Sequence, residues 1–470
     1  MTNWLPNLQR GAGPLYVRLA DQIERDIENG TLPPGTKLPP QRNLAYDVGV
    51  TIGTVSRAYA LVRQRGLVSG EVGRGTYVLE RIRSSRSAGA NGEPFGGTRA
   101  SVPEPGKTRM DSTAAPNVGQ ADALTRVTER IARDHPADIA SYTRSLPTRW
   151  LDAGSQWLAR GDWTPHPDSI VPTLGGHAGI LATIAAMTVP GDRIAFEEFT
   201  YSHIARSATV IGRRLLSVAI DEEGMVPEDF ERVCAQQHPR MVFLVPSLHN
   251  PTLATMPEAR RRAIVEIARV HNVWLIEDNI YGALLDSTPP LFATLAPERT
   301  FHVGSLSKSV AAGVRGGWVA TPPPYASRVL TAHKMITGGI PFLLAELAAQ
   351  LVLSGEAFDI HDRVRAEIGA RQAIAASLFA GRDFTSHPNA PFLWLKLPEP
   401  WLSSTFKQAA MEEGVLIDDE DEFKVGRAGA TLHRARIAFT VPESHDSVTR
   451  GLTTLRSLLD NPISGFDNYG

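Results

Sequence analysis

The sequence predicts an α/β protein in two unequal parts: a small helical module ending in a short strand pair, and a large domain built on a largely parallel sheet. Three observations carry that expectation. From Pro14 to about Leu79 the text is dense in apolar residues at helical spacing. From Arg81 to Arg109, RIRSSRSAGANGEPFGGTRASVPEPGKTR turns to Ser, Gly, Pro and Arg with almost nothing to bury. From about Asp111 onward, short apolar runs (RIAFEE, MVFLVP, VWLIED, GWVA) alternate with helical stretches such as ARRRAIVEIARVHN, the texture of parallel strands joined by crossover helices. The expected divisions are residues 1–80, a flexible linker over 81–110, and a large domain over 111–470.

Composition bounds the function. At 470 residues the chain holds more than one core. Lys+Arg 48 against Asp+Glu 50 leaves a net charge of -2, so any nucleic-acid site is a local patch and not a property of the whole chain. A single cysteine, Cys234, forms no intramolecular disulfide and no Cys-rich zinc cluster; a reducing cytosol and no metal are expected. MTNWLPNLQRGAG lacks an apolar signal core, and no apolar run approaches the length of a membrane span. A cytoplasmic protein is the expectation.

In the small module, PLYVRLADQIERDIENG sets Tyr16, Leu19, Ile23 and Ile27 at helical spacing, with Gly30 closing the helix. Pro39 and Pro40 precede a second, short helix, and Val48-Gly49-Val50 breaks it from TIGTVSRAYALVRQRG, for which Thr51 is a good N-cap. Helix, tight turn, helix is the outline of a helix-turn-helix. Between Val48 and Gly70 stand Arg57, Arg63 and Arg65 and no acidic residue, a local cationic patch. GLVSGEVGRGTYV reads as two strands around a Gly-rich turn with Arg74 at its tip, suited to a phosphate or a minor groove. A lone helical pair with an Arg-bearing face is more often only a solvated surface; three helices, turn and basic wing in this order weigh against that.

PLY, the G-x-LPPGTKLPPQR-x-LA run, TVSRAY and GRGTYV together cover essentially all of residues 14–79, and on them the module resembles the winged helix-turn-helix of the GntR family of bacterial transcription regulators. The resemblance implies that Arg42, Thr51, Thr54, Ser56 and Arg57 face double-stranded DNA, with Arg74 on the wing. Ile52 stands where members often carry Arg, which implies a different operator preference.

The chemistry of the large domain is spread over short motifs. GSLSKSVAAGVRGGW holds Lys308 between Ser305, Ser307 and Arg315: an amine able to form a Schiff base beside hydroxyls and a guanidinium able to bind phosphate, the equipment for pyridoxal 5'-phosphate. Alone, a lysine among serines is usually a solvated loop. VWLIEDNIYG ends a strand in Asp278, able to pair with a protonated pyridine nitrogen, and Tyr281, able to hydrogen-bond a phenolic oxygen; a strand ending in an acid is otherwise common. PTLGGHAGILATIAAM puts Gly175 and Gly176 at a helix start, where free N–H groups favour a phosphate. VPSLHNPT offers Asn250 for the ring oxygen. FEEFTYSH offers Tyr201 either as a plate for the ring or as core filling. HRARIAFT offers Arg436 for a ligand carboxylate, with Arg434 two residues away on the same face.

In this order the motifs resemble the fold-type I aminotransferases over most of residues 111–455. The resemblance implies Lys308 as the catalytic, aldimine-forming lysine and Asp278 on the ring nitrogen, with Asn250 and Tyr281 on the phenolic oxygen. Gly175, Gly176, His177, Ser305, Ser307 and Arg315 would hold the phosphate. His177 replaces a small polar residue or Gln, and Leu253 replaces a usual Gly. A GntR-like reader joined by a linker to an aminotransferase-like body resembles the MocR subfamily. That implies a head-to-tail homodimer in which an amino acid or related amine exchanges with Lys308 at the cofactor and alters DNA binding. A linker of this length spans about 30 Å as a coil, enough to reach a partner subunit. Two other functions share Lys308: a working aminotransferase with a fused DNA-binding module, and direct sensing of pyridoxal phosphate, against which a carboxylate clamp at Arg436 argues.

Overall fold

The computed structural model describes residues 4–6, 8, 14–65, 67–71, 75–79, 106–426 and 431–460. Arg74 lies outside the described residues, as does 81–105 of the expected linker.

The small module has three helices, α1 (Leu15–Glu28), α2 (Gln41–Asp47) and α3 (Ile52–Gln64), and an antiparallel pair, β1 (Val68–Glu71) and β2 (Gly75–Val78). Its core follows the apolar spacing: Leu19 and Ile23 of α1, Leu44 of α2, and Val55, Tyr59 and Val62 of α3 are buried together. Gly49 takes a φ of 68° between α2 and α3, a left-handed turn that glycine makes without strain. Thr51 caps α3, its Oγ1 accepting the Thr54 N–H at 3.2 Å. The cationic patch is smaller than its arginine count: Arg65 Nη1 reaches Asp21 and Glu24 at 2.7 Å each and ties the end of α3 to α1.

The stretch read as linker ends earlier than expected. Thr108–Arg109 pairs in parallel with Val415–Leu416, and Met110 is fully buried against the C-terminal core. Two residues are too few for a periodic signal, so composition alone extended the linker to residue 110.

The large body is built on seven strands: β3 (Ile170–Leu174), β4 (Arg193–Glu197), β5 (Arg214–Val218), β6 (Met241–Leu244), β7 (Trp274–Asp278), β8 (Thr300–Ser305) and β9 (Gly316–Ala320). Their order is β3-β9-β8-β7-β6-β4-β5, with β9 antiparallel to both neighbours and every other pair parallel. Both faces are covered, which is why strands such as β6 (MVFL) and β9 (GGWVA) read as apolar runs with no polar alternation. On one face Ile180 and Ile184 of α4 (Gly175–Met187) pack on Phe196, Phe243, Ile276 and Val303. On the other, Ile264 and Val265 of α6 (Glu258–Val270) pack on Val242, Leu244 and Leu275; α5 (Ser202–Val210) follows β4. C-terminal to the sheet, α7 (Glu356–Leu378) leads into a four-stranded antiparallel sheet. It comprises β10 (Phe384–Thr385), β11 (Phe392–Lys396), β12 (Asp418–Asp419) and β13 (Arg434–Ala438), ordered β10-β11-β13-β12. Among the described residues no helix is long and apolar enough to cross a membrane.

Candidate functional site

Parallel strands deliver their next residues to one edge of a sheet, and ligands of open α/β sheets bind there. At that edge a cavity of about 230 Å³ is lined by Gly175, Gly176, His177, Tyr201, Asn250, Asp278, Tyr281, Ser305, Ser307, Lys308, Arg315 and Arg436. Residues 261 positions apart in the chain are thus brought together because β3, β4, β6, β7 and β8 all end there, while β13 contributes Arg436 from the second sheet.

The chain entering α4 is held by the Leu174 N–H, which donates to His333 Nε2 at 3.1 Å; burial pushes the His333 pKa down to about 4 and keeps its ring neutral. Gly175 takes a φ of 79°. A β-carbon on Gly176 would stand 2.4 Å from Ile280 Cδ1, and one on Gly317 would stand 2.7 Å from the Gly175 carbonyl carbon. The first turn of α4 therefore lies against β9 and the β7 exit, and the N–H groups of that turn have no partner within the helix. Ser305, Ser307 and Arg315 line the same cavity, and no carboxylate among the described residues pairs with Arg315.

Asp278 ends β7 nearly buried. Its Oδ1 accepts the Ile280 N–H at 3.1 Å, and burial raises its pKa to about 7, with that hydrogen bond and the Lys308 charge acting in the opposite direction. Lys308 Nζ donates to Thr113 Oγ1 at 2.9 Å and lies 5.7 Å from the Tyr281 ring centre; Thr113 Oγ1 is 2.6 Å from the Tyr281 hydroxyl. Tyr201 is half-buried, its hydroxyl 3.4 Å from His177 Nδ1 and its ring stacked on His203 at 5.4 Å. Burial first, then the nearby His203 and Arg315 charges, lowers the His177 pKa to about 4. His177 thus offers a neutral ring.

Arg436, and not Arg434, enters the cavity: Arg434 turns to the Trp394 carbonyl and to Asp383. Arg436 Nη1 donates to Asn250 Oδ1 at 2.8 Å, and Nη2 donates to the Asp111 carbonyl at 3.1 Å and to the Asp418 carboxylate. Leu253 adopts a φ of 65°, the left-handed conformation that the glycine usual there would take without strain. Sequence reasoning missed Thr113, Asp418, Glu422 and Phe423. Thr113 follows the linker with no motif around it, and the other three sit in DDEDEF, which reads as a solvated acidic run although Asp418 and Glu422 are buried.

On the small module, Arg42, Thr51, Ser56 and Arg57 are exposed and Thr54 is half-buried, its hydroxyl 2.9 Å from that of Thr51. Ile52 is exposed on the same helix start, and Tyr46 on α2, which the sequence did not single out, is 88% exposed.

Residues 15–78 match the bacterial regulatory proteins of the gntR family, and residues 122–448 match aminotransferase class I and II. The HTH-type transcriptional regulator YdeF of Bacillus subtilis is 30% identical over 98% of this chain and 97% of its own. The chain belongs to the MocR subfamily of GntR transcription regulators. This MocR-type chain is also 30% identical, over 68% of its length and 69% of the relative's, to the pyridoxine biosynthesis regulator PdxR of Corynebacterium glutamicum. It is 26% identical to the probable rhizopine catabolism regulatory protein MocR of Rhizobium meliloti, over 78% of this chain and 77% of that one. The large body has the fold of LysN, an α-aminoadipate aminotransferase of Thermus thermophilus: TM-score 0.68, 19% identity, 77% of this chain and 94% of that one.

Proposed function

We propose that this transcription regulator holds pyridoxal 5'-phosphate at Lys308 and reads an amino acid or related amine by letting it take the place of that lysine. The observation that carries the reading is convergence: an amine, a buried carboxyl group, the Asn250 amide, the Tyr281 hydroxyl and a glycine-led helix start line one cavity in a chain whose N-terminal module is a GntR reader.

The donor set suits the cofactor. Asp278 would hold the ring nitrogen; a cation there stabilises the ionised carboxylate against the burial that otherwise raises its pKa. Tyr281 and the Asn250 amide, whose Oδ1 is already taken by Arg436, would serve the phenolic oxygen, and Tyr201 would flank the ring. Ser305, Ser307, Arg315, Gly175 and Gly176 would hold the phosphate, with neutral His177 adding a hydrogen bond and no charge. When bound, the cofactor supplies an aldehyde carbon that links reversibly to a primary amine. Lys308 Nζ would be the nitrogen that the effector amine replaces, and it would take up the protons the effector gives away, so that the exchange would need no oxidant. Thr113 Oγ1 accepts from Nζ and so orients it. Lysine released in this way gives the cavity two states that a ligand distinguishes, which is what a switch requires.

Arg42, Thr51, Thr54, Ser56 and Arg57 would meet double-stranded operator DNA, Arg74 would serve the wing, and the regulator would act as a head-to-tail homodimer. The test is absorbance of the full chain reconstituted with pyridoxal phosphate. A visible band that the Lys308→Ala variant lacks is expected; a band retained by that variant contradicts the assignment.

A further inference from the structure

The cavity holds a guanidinium whose carboxylate partner is supplied by the chain itself. Arg436 has five N–H hydrogens. Both on Nη2 are used, by the Asp111 carbonyl and the Asp418 carboxylate, and one on Nη1 goes to Asn250 Oδ1. The Nε hydrogen is buried with no partner. One Nη1 hydrogen is left for a ligand, whereas a guanidinium grips a carboxylate through two parallel N–H bonds.

The pair is built into the sheet. Asp418 on β12 is the direct cross-strand neighbour of Arg436 on β13, and both are buried. The Arg436 guanidinium carbon lies 5.3 Å from the Phe392 ring centre and 4.8 Å from that of Phe423, so aromatic rings fix its plane. Turning the fork toward a ligand would break contacts with Asp418, Asn250 and the rings together. The other guanidinium lining the cavity, among the described residues, is Arg315, which stands with Ser305 and Ser307. Arg206 approaches from α5 but is held by Glu422 at 2.9 Å.

We infer that the effector is a primary amine with no carboxylate beside its amino group, because Asp418, the Asp111 carbonyl and Asn250 already take three of the hydrogens with which Arg436 would grip one. This rests on the reading of Lys308 above. It makes Asp418 a specificity-determining residue: a ligand carboxylate brought to this site meets a neutralised guanidinium and the negative charge of Asp418.

The test uses the full-length chain loaded with pyridoxal phosphate and two matched probe pairs, ethylamine with L-alanine and 1,4-diaminobutane with L-ornithine. Half-saturation is read from the cofactor absorbance, and a shift in melting temperature serves as a second readout. In the wild type each amine is expected to saturate at a concentration about tenfold or more below that of its amino acid. In Asp418→Asn that ratio should fall by about tenfold or more as amino acid affinity rises; Asp418→Ser gives the same comparison if the Asn variant does not fold. A smaller wild-type preference, or a ratio that either folded variant leaves within about threefold of wild type, overturns the inference while leaving the role of Lys308 standing. Loss of response to all four probes in a protein that shows the Lys308-dependent band overturns the exchange reading as well.

Discussion

A carboxyl group at the end of a buried strand is neutral or charged according to what stands beside it, and Asp278 makes the point. Burial lifts its pKa from 3.8 to about 7. The folded value lies above the unfolded one, so folding costs nothing extra at Asp278 while the group is protonated, below about pH 4. The cost grows as pH rises and is complete above about pH 7. In the cofactor-free protein, Asp278→Asn is therefore expected to stabilise the large domain at pH 8, by up to about 4 kcal/mol, with the gain shrinking toward zero as pH falls to about 4. Melting curves of both proteins across that range check it; a gain independent of pH would show that ionisation is not the cause. The same variant should bind pyridoxal phosphate more weakly. That Lys308 and Asp278 would share one cavity was legible in the order of the motifs, although each motif alone had an ordinary reading. Asp418 was not: its meaning lies in a cross-strand neighbour 18 residues away, a separation that no local pattern bridges.

At the scale of elements, α3 separates two arginines that composition treats alike. Arg57 is exposed with no ion pair among the described residues, whereas Arg65 bridges to Asp21 and Glu24 on α1. Arg57→Ala is expected to weaken operator binding by about 1–3 kcal/mol with the melting temperature unchanged. Arg65→Ala should lower the stability of the small module, by up to about 1 kcal/mol for so exposed a pair, and affect operator binding less. Fluorescence anisotropy on labelled operator together with thermal melts separates them; equal losses of affinity would refute the division. The start of α4 gives a second case. Gly176→Ala drives a β-carbon into Ile280 Cδ1, two residues beyond Asp278, and overpacking of this kind costs about 1–3 kcal/mol. Weaker cofactor binding is expected, and unaltered binding would show that the β7 exit yields freely. Four of the seven strands, β4, β6, β7 and β9, were legible as apolar runs because both faces of the sheet are covered. The Thr108–Arg109 strand was invisible because its partners lie some 300 residues away and it is too short to carry a period.

At the scale of the whole molecule, the division of labour follows from where the charge and the chemistry sit. A chain of net charge -2 would bind DNA through a local face, and the exposed Arg42 and Arg57 would supply it on a module with its own core. The cavity that would take the cofactor lies in the other body, at the carboxyl edge of its sheet. Both parts were legible because each carries its own ordered set of motifs. What the text could not convey was the occupancy of Arg436, since a sequence gives a guanidinium no partner. The most direct measurement follows cofactor absorbance and operator anisotropy in one sample while ethylamine is titrated into the pyridoxal phosphate-loaded full-length regulator. The account predicts that the spectral change and the change in DNA affinity share one midpoint in the wild type and that both vanish in Lys308→Ala. A DNA response that survives in Lys308→Ala, or a complete spectral change with DNA affinity unmoved, would contradict it.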